Sequence, residues 1–409
     1  MYVRSSMVLS MNVVRYHTLW RERTRHARTE IDVTRTAAGR KRPSSAITVK
    51  ASSARARPGP QNGSARRPTV LELFAGCGGM VLGFQRAGFS TVLANEYAPA
   101  ACATLRKNLT EAVVEGPVEE IKTFPKADVV AGGPPCQGFS NLGERLPDDP
   151  RRQMWRHFLR AVEQAEPRAF VMENVPPLLR SQEYVEIEQT ARRLGFRVVA
   201  QVLNAADYGV PQARKRAIVV GLRDGEPSHP AATHGDPALI RAGRSKLQPW
   251  VTVRDAIGDM PSVPTEANWH LSRNPTPLSL RRYKCVPPGG NRWDLPLRLM
   301  PECWKKKVDG GTDLFGRLWW DRPSVTIRTE FYKPEKGRYL HPEAHRPITH
   351  REAARLQGFP DDFDFCGSRI EAGIQIGNAV PPTLAEAIAR HVLSLLGVNA
   401  RSKRQAVAK

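Results

Sequence analysis

The feature that most constrains the fold is an alternation of strand-like and helix-like segments that begins at Thr69. An apolar run at residues 70–74 leads into the glycine-rich stretch 75–79, and apolar side chains then recur at helical spacing over 80–87. The same alternation continues as far as Gly221. Repeated strand–helix units predict an α/β fold with a doubly wound, mainly parallel sheet.

The alternation also predicts the element positions and the domain organisation. Predicted strands lie at 70–74, 91–96, 127–131, 169–172, 197–203 and 217–221, and predicted helices lie at 80–87, 99–108, 154–165 and 184–194. From about residue 223 to 345 the chain is rich in Pro, Gly and Trp without clean periodicity, and helical spacing resumes at 349–356 and 382–396. We therefore expect a catalytic, cofactor-binding domain at 69–222, a smaller irregular domain at 223–348, C-terminal helices at 349–398 that complete the first domain, and a basic tail at 399–409.

The N-terminal segment 1–68 differs from the rest of the chain. It contains 15 Lys and Arg residues against 3 Asp and Glu residues, and no sustained hydrophobic period. This composition predicts a disordered basic arm. A nucleic-acid tail, an organelle transit peptide and an upstream extension translated from too early a start all remain open explanations, and a solvated or spurious tail is the preferred one.

Charge and cysteine usage narrow the class of protein. The formal net charge of +22 suits a polyanionic partner. No apolar run approaches the roughly 18 residues of a membrane helix, which excludes a transmembrane protein. The 6 Cys residues are scattered without a C-x-x-C pair, which argues against a disulfide scaffold or a zinc ribbon. We expect a cytoplasmic protein that needs neither membrane nor metal.

The first strand and its glycine turn are candidates for a cofactor site. A glycine turn lets the backbone approach a ligand, and an acid at the tip of the second strand, Glu96, can accept hydrogen bonds from ribose hydroxyls. This arrangement fits a cofactor that contains adenosine, although a glycine-rich turn is often only a tight turn. The residues of the candidate turn are Phe74, Ala75, Gly76, Cys77, Gly78 and Gly79.

A cysteine that follows the strand 127–131 is a candidate nucleophile. Cys136 stands in the stretch 133–140, Gly-Pro-Pro-Cys-Gln-Gly-Phe-Ser, where the prolines restrict the backbone and the glycines leave the sulfur accessible. A strand's carboxyl end lies on the edge where open α/β sheets bind ligands. A lone Cys is more often a small core residue, but this setting favours a nucleophile.

A carboxylate and two arginines lie next to predicted strands. Glu173 ends the strand 169–172, and Arg214 and Arg216 directly precede the strand 217–221. Separately, a strand-end Glu is often a helix cap and an Arg cluster is often solvated surface. Together with Cys136 they predict a site where a carboxyl group and a guanidinium group stand beside a thiol, which suits attack on an electron-poor ring.

Six motifs in order resemble those of the cytosine-C5 DNA methyltransferase family, of the bacterial restriction–modification type. The resemblance covers about residues 69–222 and 349–396. The motifs are Glu-Leu-Phe-Ala-Gly-Cys-Gly-Gly at 72–79, Pro-Pro-Cys-Gln at 134–137, Glu-Asn-Val at 173–175, Gln-Ala-Arg-Lys-Arg at 212–216, Arg-Glu-Ala-Ala-Arg-Leu-Gln-Gly-Phe-Pro at 351–360 and Gly-Asn-Ala-Val-Pro-Pro at 377–382. Agreement of six ordered motifs is far more specific than any single match.

The resemblance implies an enzyme that methylates C5 of cytosine in DNA with S-adenosylmethionine as methyl donor. It implies that Cys136 adds to C6 of the base and that Glu173 protonates or hydrogen-bonds N3. Arg216 would hold the O2 oxygen, and Arg214 would lie near the thiolate or a phosphate. The implied cofactor contacts are the glycine turn and Glu96, together with Tyr97, Val118, Pro134, Asn378 and Val380.

The resemblance also implies the substrate and its handling. The partner is double-stranded DNA, from which the cytosine must be flipped out because stacking blocks the ring face. Residues 137–153 resemble the loop that closes over the base, and 223–348 occupies the position of the target-recognition domain. One subunit methylates one strand at a time, so a monomer suffices. Pro117 stands where the family usually has an Asp that binds adenine, so this side-chain acceptor is lost unless Glu119 substitutes for it.

Two other functions share this core. A tRNA cytosine methyltransferase typically has Phe-Thr after Cys-Gln-Pro, whereas this chain has Gly138, Phe139 and Ser140 after Cys136 and Gln137, which favours DNA. A catalytically silent DNA-binding homologue has no need of Cys136, Glu173 and Arg216 together. DNA methylation is therefore the leading hypothesis.

Overall fold

The computed structural model describes residues 66–135, 153–306 and 311–397. Within these ranges seven strands form one sheet in the order β3-β2-β1-β4-β5-β7-β6, and a two-stranded ribbon lies outside it. The strands are β1 Thr69–Leu73, β2 Ser90–Glu96, β3 Val113–Glu115, β4 Val129–Gly132, β5 Ala169–Asn174, β6 Arg197–Asn204, β7 Lys215–Leu222, β8 His234–Gly235 and β9 Gln248–Pro249.

Helices connect these strands and follow them. The α-helices of the described residues are α1 Gly79–Ala87, α2 Pro99–Asn108, α3 Met154–Ala165, α4 Gln182–Arg193, α5 Pro237–Arg241, α6 Val253–Ile257, α7 Pro277–Cys285, α8 Glu302–Lys305, α9 His350–Gln357, α10 Arg369–Asn378 and α11 Pro382–Leu395. Short 3₁₀ turns lie at Val118–Glu120, Pro176–Arg180, Ala205–Tyr208, Ala267–Trp269, Arg292–Asp294, Leu297–Leu299 and Pro334–Lys336. None of the helices in the described ranges has the length and apolar character needed to cross a membrane.

The sheet is mainly parallel, as predicted, with one reversed strand. Strands β3, β2, β1, β4 and β5 pair in parallel, whereas β7 runs antiparallel to both β5 and β6. The sequence did not predict this reversal. Its physical cause is the connection from β6 to β7, residues 205–214, which is too short for the crossover that parallel neighbours need.

The two faces of the sheet are covered by different helices. Alternate strand residues such as Val70 and Val129 contact α1 and α11, while Leu71 and Phe170 contact α3 and α4. The close contact of α1 with α11 depends on Gly83, where a Cβ atom would lie 2.6 Å from the backbone nitrogen of Glu386. The sheet is thus buried on both faces, as its continuous apolar strands require.

The irregular segment 223–348 divides between two hydrophobic clusters. Val253, Leu318 and Ile327 pack with side chains of α9 and α10 in one cluster. Tyr283, Val286, Leu295, Met300, Phe315 and Leu340 form a second, smaller cluster. The first cluster therefore extends across the predicted boundary at residue 348 and joins the C-terminal helices to part of the irregular segment.

The elements differ from the predictions in three places that matter for function. Strand β7 begins at Lys215, so Arg216 lies within the strand rather than before it. Strand β5 continues through Glu173 to Asn174, two residues beyond the predicted end. Helix α10 was not predicted, since Gly373 and Gly377 lower its helix propensity. Both glycines are required by packing, because a Cβ at Gly373 would lie 2.8 Å from the Tyr332 ring and one at Gly377 would overlap the backbone of Arg328 and Thr329.

Candidate active site

The direction of β7 brings the predicted base-binding residues to one edge of the sheet. In the antiparallel pairing Glu173 lies opposite Ile218 and Asn174 lies opposite Ala217. The beginning of β7, with Arg216, therefore lies at the same edge as the carboxyl ends of β1, β4 and β5. A parallel β7 would have placed Arg216 at the opposite edge.

Glu173 and Arg216 form an ion pair at this edge. The Nε of Arg216 lies 2.8 Å from Oε1 of Glu173, and the two side chains are 14% and 12% exposed. Nη1 of Arg216 donates to the carbonyl of Lys215 at 2.8 Å. The second carboxylate oxygen, Oε2, faces Gly133, where an added Cβ would lie only 2.8 Å away. Glycine at 133 thus leaves room for the carboxylate.

Asn174 attaches the segment that precedes Cys136 to this edge. Its Nδ2 donates to the carbonyl of Pro134 at 3.0 Å, and its Oδ1 accepts from the backbone of Val175 at 2.8 Å. Cys136 itself, with the predicted loop up to residue 152, lies outside the described residues. Asn174 was not among the predicted site residues, although the Glu-Asn-Val motif that contains it was the available signal.

The glycine turn and Glu96 form the second part of the candidate site. Oε2 of Glu96 accepts from the backbone of Gly76 at 2.8 Å, and Oε1 accepts from Ala98 at 2.9 Å. Burial raises the pKa of Glu96, although these N–H groups oppose the rise. Phe74 and Gly76 have φ of 57° and 56°, and no atom lies within 4 Å of a Cβ built on Gly76. The turn therefore faces open space that suits a ligand.

The other predicted cofactor residues differ in accessibility. The carbonyl of Val380 packs directly on Gly79, and Asn378 is exposed. Tyr97 is also exposed, at 68%. Val118 is buried and its carbonyl accepts from Arg160 at 2.9 Å.

Cys77 and Pro117 also differ in exposure. The Cys77 thiol is buried against α10, where it donates to the carbonyl of Gln375 at 3.5 Å, and burial raises its pKa. Pro117 is exposed and precedes the turn Val118–Glu120, in which Glu119 is exposed as well.

Arg214 has different hydrogen-bond partners from Arg216. It is buried, with Nη1 donating to the carbonyl of Ile327 and Nη2 to that of Gly377, both at 3.1 Å. The sequence predicted neither contact, because both partners are backbone atoms more than 100 residues away. In the described part of the chain, no group of three or more His, Cys, Asp or Glu residues is arranged to hold a metal ion.

Comparisons with known proteins match this chain to one family. The family model for C-5 cytosine-specific DNA methylase matches residues 68–394. Type II methyltransferase M1.HphI of Haemophilus parahaemolyticus is 38% identical over 349 residues, which is 80% of this chain and 87% of the relative. Type II methyltransferase M.NgoFVII of Neisseria gonorrhoeae is 37% identical over 349 residues, 83% of this chain and 90% of the relative.

Solved structures share the fold. A protein described as a DNA modification methyltransferase encoded within an E. coli prophage superposes with a TM-score of 0.61 and 26% identity over 81% of this chain and 99% of its own. EhMeth of Entamoeba histolytica superposes with a TM-score of 0.55 at 15% identity, again over 81% and 99%, and supports the fold alone. The chain belongs to the C-5 cytosine-specific DNA methylase family. It is a DNA cytosine-5-methyltransferase.

Proposed function

We propose that this protein transfers a methyl group from S-adenosylmethionine to C5 of a flipped-out cytosine in a specific duplex DNA sequence. The observation that carries the proposal is the Glu173–Arg216 ion pair at the edge of the sheet, next to the segment 133–135 that leads into Cys136. A carboxylate and a guanidinium side by side match the donors and acceptors along one side of a cytosine ring.

Cys136 would act as the nucleophile. C5 of cytosine is too poor a nucleophile to accept a methyl group directly, so the Cys136 thiolate first adds to C6 and forms a carbon–sulfur bond. The ring then becomes an enamine whose C5 is nucleophilic. C5 would take the methyl group as the methyl–sulfur bond of S-adenosylmethionine breaks, which leaves S-adenosylhomocysteine. A base then removes the proton on C5, and the bond between C6 and the Cys136 sulfur breaks to release the thiolate.

Glu173 and Arg216 would stabilise the ring during this addition. Electron density from the attacking sulfur accumulates on the ring, and a proton or hydrogen bond from the Glu173 carboxyl group at N3 offsets it. Glu173 would also accept from the 4-amino group, while Arg216 would donate to O2. The 2.8 Å contact between the two side chains sets their spacing before the base arrives. Arg214, whose Nη atoms contact backbone carbonyls, would serve this reaction indirectly.

The glycine turn and Glu96 would hold the cofactor. Open space at Gly76 and the nearby carboxylate of Glu96 fit a nucleoside with ribose hydroxyls. Bound S-adenosylmethionine supplies an electrophilic methyl group. The exposed ring of Tyr97 would contact the adenine. The Val118 backbone N–H would donate to a ring nitrogen of the adenine. Pro117 offers no side-chain acceptor for the adenine amino group, and one lost hydrogen bond weakens binding by about 1 kcal/mol unless Glu119 substitutes.

The substrate would be a short duplex sequence protected within a restriction–modification system. The similar proteins from Haemophilus and Neisseria are type II methyltransferases. The segment 223–348 would read base edges with Arg and Lys side chains from its loops. Residues 137–153 would close over the flipped base. The protein would act in the bacterial cytoplasm, on the nucleoid, and as a monomer.

The test is a base-resolution map of cytosine methylation in a host that lacks its own. The host expresses wild-type protein, Cys136→Ser or Glu173→Gln at matched soluble levels. Methylation of one short motif by the wild type, and of none by Cys136→Ser, is expected. Unmethylated DNA from soluble wild-type protein would contradict the proposal, and C5-methylated tRNA in the same cells would establish the tRNA enzyme instead.

A further inference from the structure

Two arginines that are two residues apart in the chain contact different parts of the molecule. Arg216 pairs with Glu173 at the candidate active site. Arg214 instead contacts the backbone of two distant segments, Ile327 in the irregular region and Gly377 at the end of α10. Arg214 therefore connects the irregular region to the end of α10.

On one side, Arg214 and its neighbours hold the segment 324–327. The carbonyl of Ile327 accepts from Arg214, and its N–H donates to Oε1 of Gln212 at 2.9 Å. Ser324 exchanges backbone hydrogen bonds with residues 211 and 213 at 3.0 and 2.8 Å. Ser324 thus forms an isolated parallel β-bridge with Gln212, next to the contacts of Ile327. The next residue, Arg328, is exposed, and within the described ranges its side chain has no ion-pair partner.

On the other side, Arg214 holds the end of α10, which is attached to the glycine turn. Nη2 donates to the carbonyl of Gly377, the residue before Asn378. The Cys77 thiol donates to Gln375 on the same helix, and the Val380 carbonyl packs on Gly79. The backbone of Gly377 also lies directly against Arg328 and Thr329. One guanidinium thus joins the candidate cofactor site to the surface that carries Arg328.

We propose that Arg214 is a positioning residue that couples cofactor binding to DNA binding. This inference rests on the proposed function. A cofactor in the glycine turn immobilises the end of α10, and the two hydrogen bonds of Arg214 extend that restraint to Ile327 and so to the backbone of Arg328. A backbone that is already fixed loses less conformational entropy when the side chain it carries contacts a phosphate. By linkage, DNA then strengthens cofactor binding by the same factor.

The experiment measures DNA affinity with and without S-adenosylhomocysteine. It uses full-length protein and a fluorescent, unmethylated duplex that carries the motif found in the methylation map. Wild type is expected to bind the duplex about tenfold more tightly with S-adenosylhomocysteine, within the usual range for coupled sites. Arg214→Met, which removes both hydrogen bonds, should reduce this factor to about twofold or less. Arg214→Lys can reach one carbonyl and should give an intermediate factor.

Arg317→Met is the matched control. Arg317 is equally buried and donates to the carbonyls of Val286, Tyr283, His341 and Ala344, all within the irregular region. Its loss should weaken DNA binding in both conditions and leave the coupling factor unchanged. A purely structural role for Arg214 would give the same result as this control.

A second variant perturbs the contact between the end of α10 and residues 328–329 without changing Arg214. Gly377→Ala keeps Arg214 but separates α10 from Thr329, and it should also lower the coupling factor. S-adenosylhomocysteine titration and thermal melting establish that each variant is folded. The inference would be overturned if folded Arg214→Met and Gly377→Ala kept the wild-type coupling factor. It would also be overturned if S-adenosylhomocysteine did not change the DNA affinity of the wild type. A wild type that binds neither ligand would instead refute the proposed function.

Discussion

Two Arg–Glu pairs in this protein have the same chemistry and different surroundings. In the first, Nε of Arg216 makes one contact with Glu173 at the edge of the sheet. In the second, both Nη atoms of Arg346 donate to Glu352, at 2.8 and 2.7 Å, and the backbone of Thr349 donates to the same carboxylate at 2.7 Å. Glu173 retains a small exposed surface, whereas Glu352 has none.

The two carboxylates differ in how many of their hydrogen-bonding positions are occupied. Burial opposes the ionisation of Glu352, but the two hydrogen bonds from Arg346, with His270 nearby at 3.6 Å, outweigh it and lower its pKa to about 2. A carboxylate that is enclosed by donors can stabilise a fold but cannot receive a substrate. Glu173 has one side-chain partner among the described residues and an oxygen beside Gly133, so it can accept another donor. A carboxylate at the sheet edge that still has hydrogen-bonding capacity, as Glu173 has, is therefore a better indicator of function than a fully enclosed one such as Glu352.

The largest expected effect is on catalysis by Glu173→Gln. The amide keeps the shape and can still accept from Arg216, but it cannot transfer a proton to N3. Methyl transfer should fall by roughly 10²–10⁴-fold, while the free energy of unfolding should fall by less than the roughly 3–5 kcal/mol of a fully buried pair. Single-turnover transfer of labelled methyl groups and chemical denaturation measure the two quantities. Activity within threefold of wild type would remove Glu173 from the mechanism.

Glu352→Gln should show the opposite pattern. It leaves the buried Arg346 without a counter-charge, which costs about 3–5 kcal/mol of folding free energy. Activity per folded molecule should remain close to that of wild type, because the hydrogen-bond partners of Glu352, Arg346 and Thr349, are not residues of the candidate active site. Urea denaturation and active-site titration at low temperature test this expectation. Equal losses of activity from Glu352→Gln and Glu173→Gln would break the distinction between the two pairs.

The pH dependence of stability should report on the Arg346–Glu352 pair. Because the pKa of Glu352 is lowered from about 4.5 to about 2, its stabilisation is present above pH 4.5 and is lost as the pH falls towards 2. The advantage of wild type over Glu352→Gln should therefore shrink by about 3 kcal/mol in that window. Thermal melting of both proteins across the window measures it. A constant difference down to pH 2 would show that the charge of Glu352 contributes nothing.

The smallest effect is expected from an exposed pair. Glu188 and Arg192 are one helical turn apart on α4, at 31% and 56% exposure. Glu188→Gln should change the free energy of unfolding by no more than about 0.5 kcal/mol and leave methyl transfer unchanged, because solvent screens the pair. It serves as the baseline for the other variants. A change above 1 kcal/mol would mean that ion-pair exposure is a poor guide in this protein.

Much of the fold could be predicted because its signals are local. The run 70–74, the glycine turn and the helical spacing after it depend on residues a few positions apart, and helix α3 occurs at the predicted residues 154–165. Helix α10 was missed because its glycines, 373 and 377, are required by contacts with Tyr332 and Thr329 that local periodicity does not reveal.

The sequence by itself determined the α/β alternation, the family and the residue types available for catalysis, since these follow from hydrophobic periodicity and from ordered motifs. Only the tertiary structure decided which of those residues meet. The reversal of β7 places Arg216 beside Glu173, and burial turns Arg214 towards Ile327 and Gly377. Strand direction and long-range hydrogen bonds depend on packing between segments far apart in the chain, and no local pattern in the sequence encodes that packing.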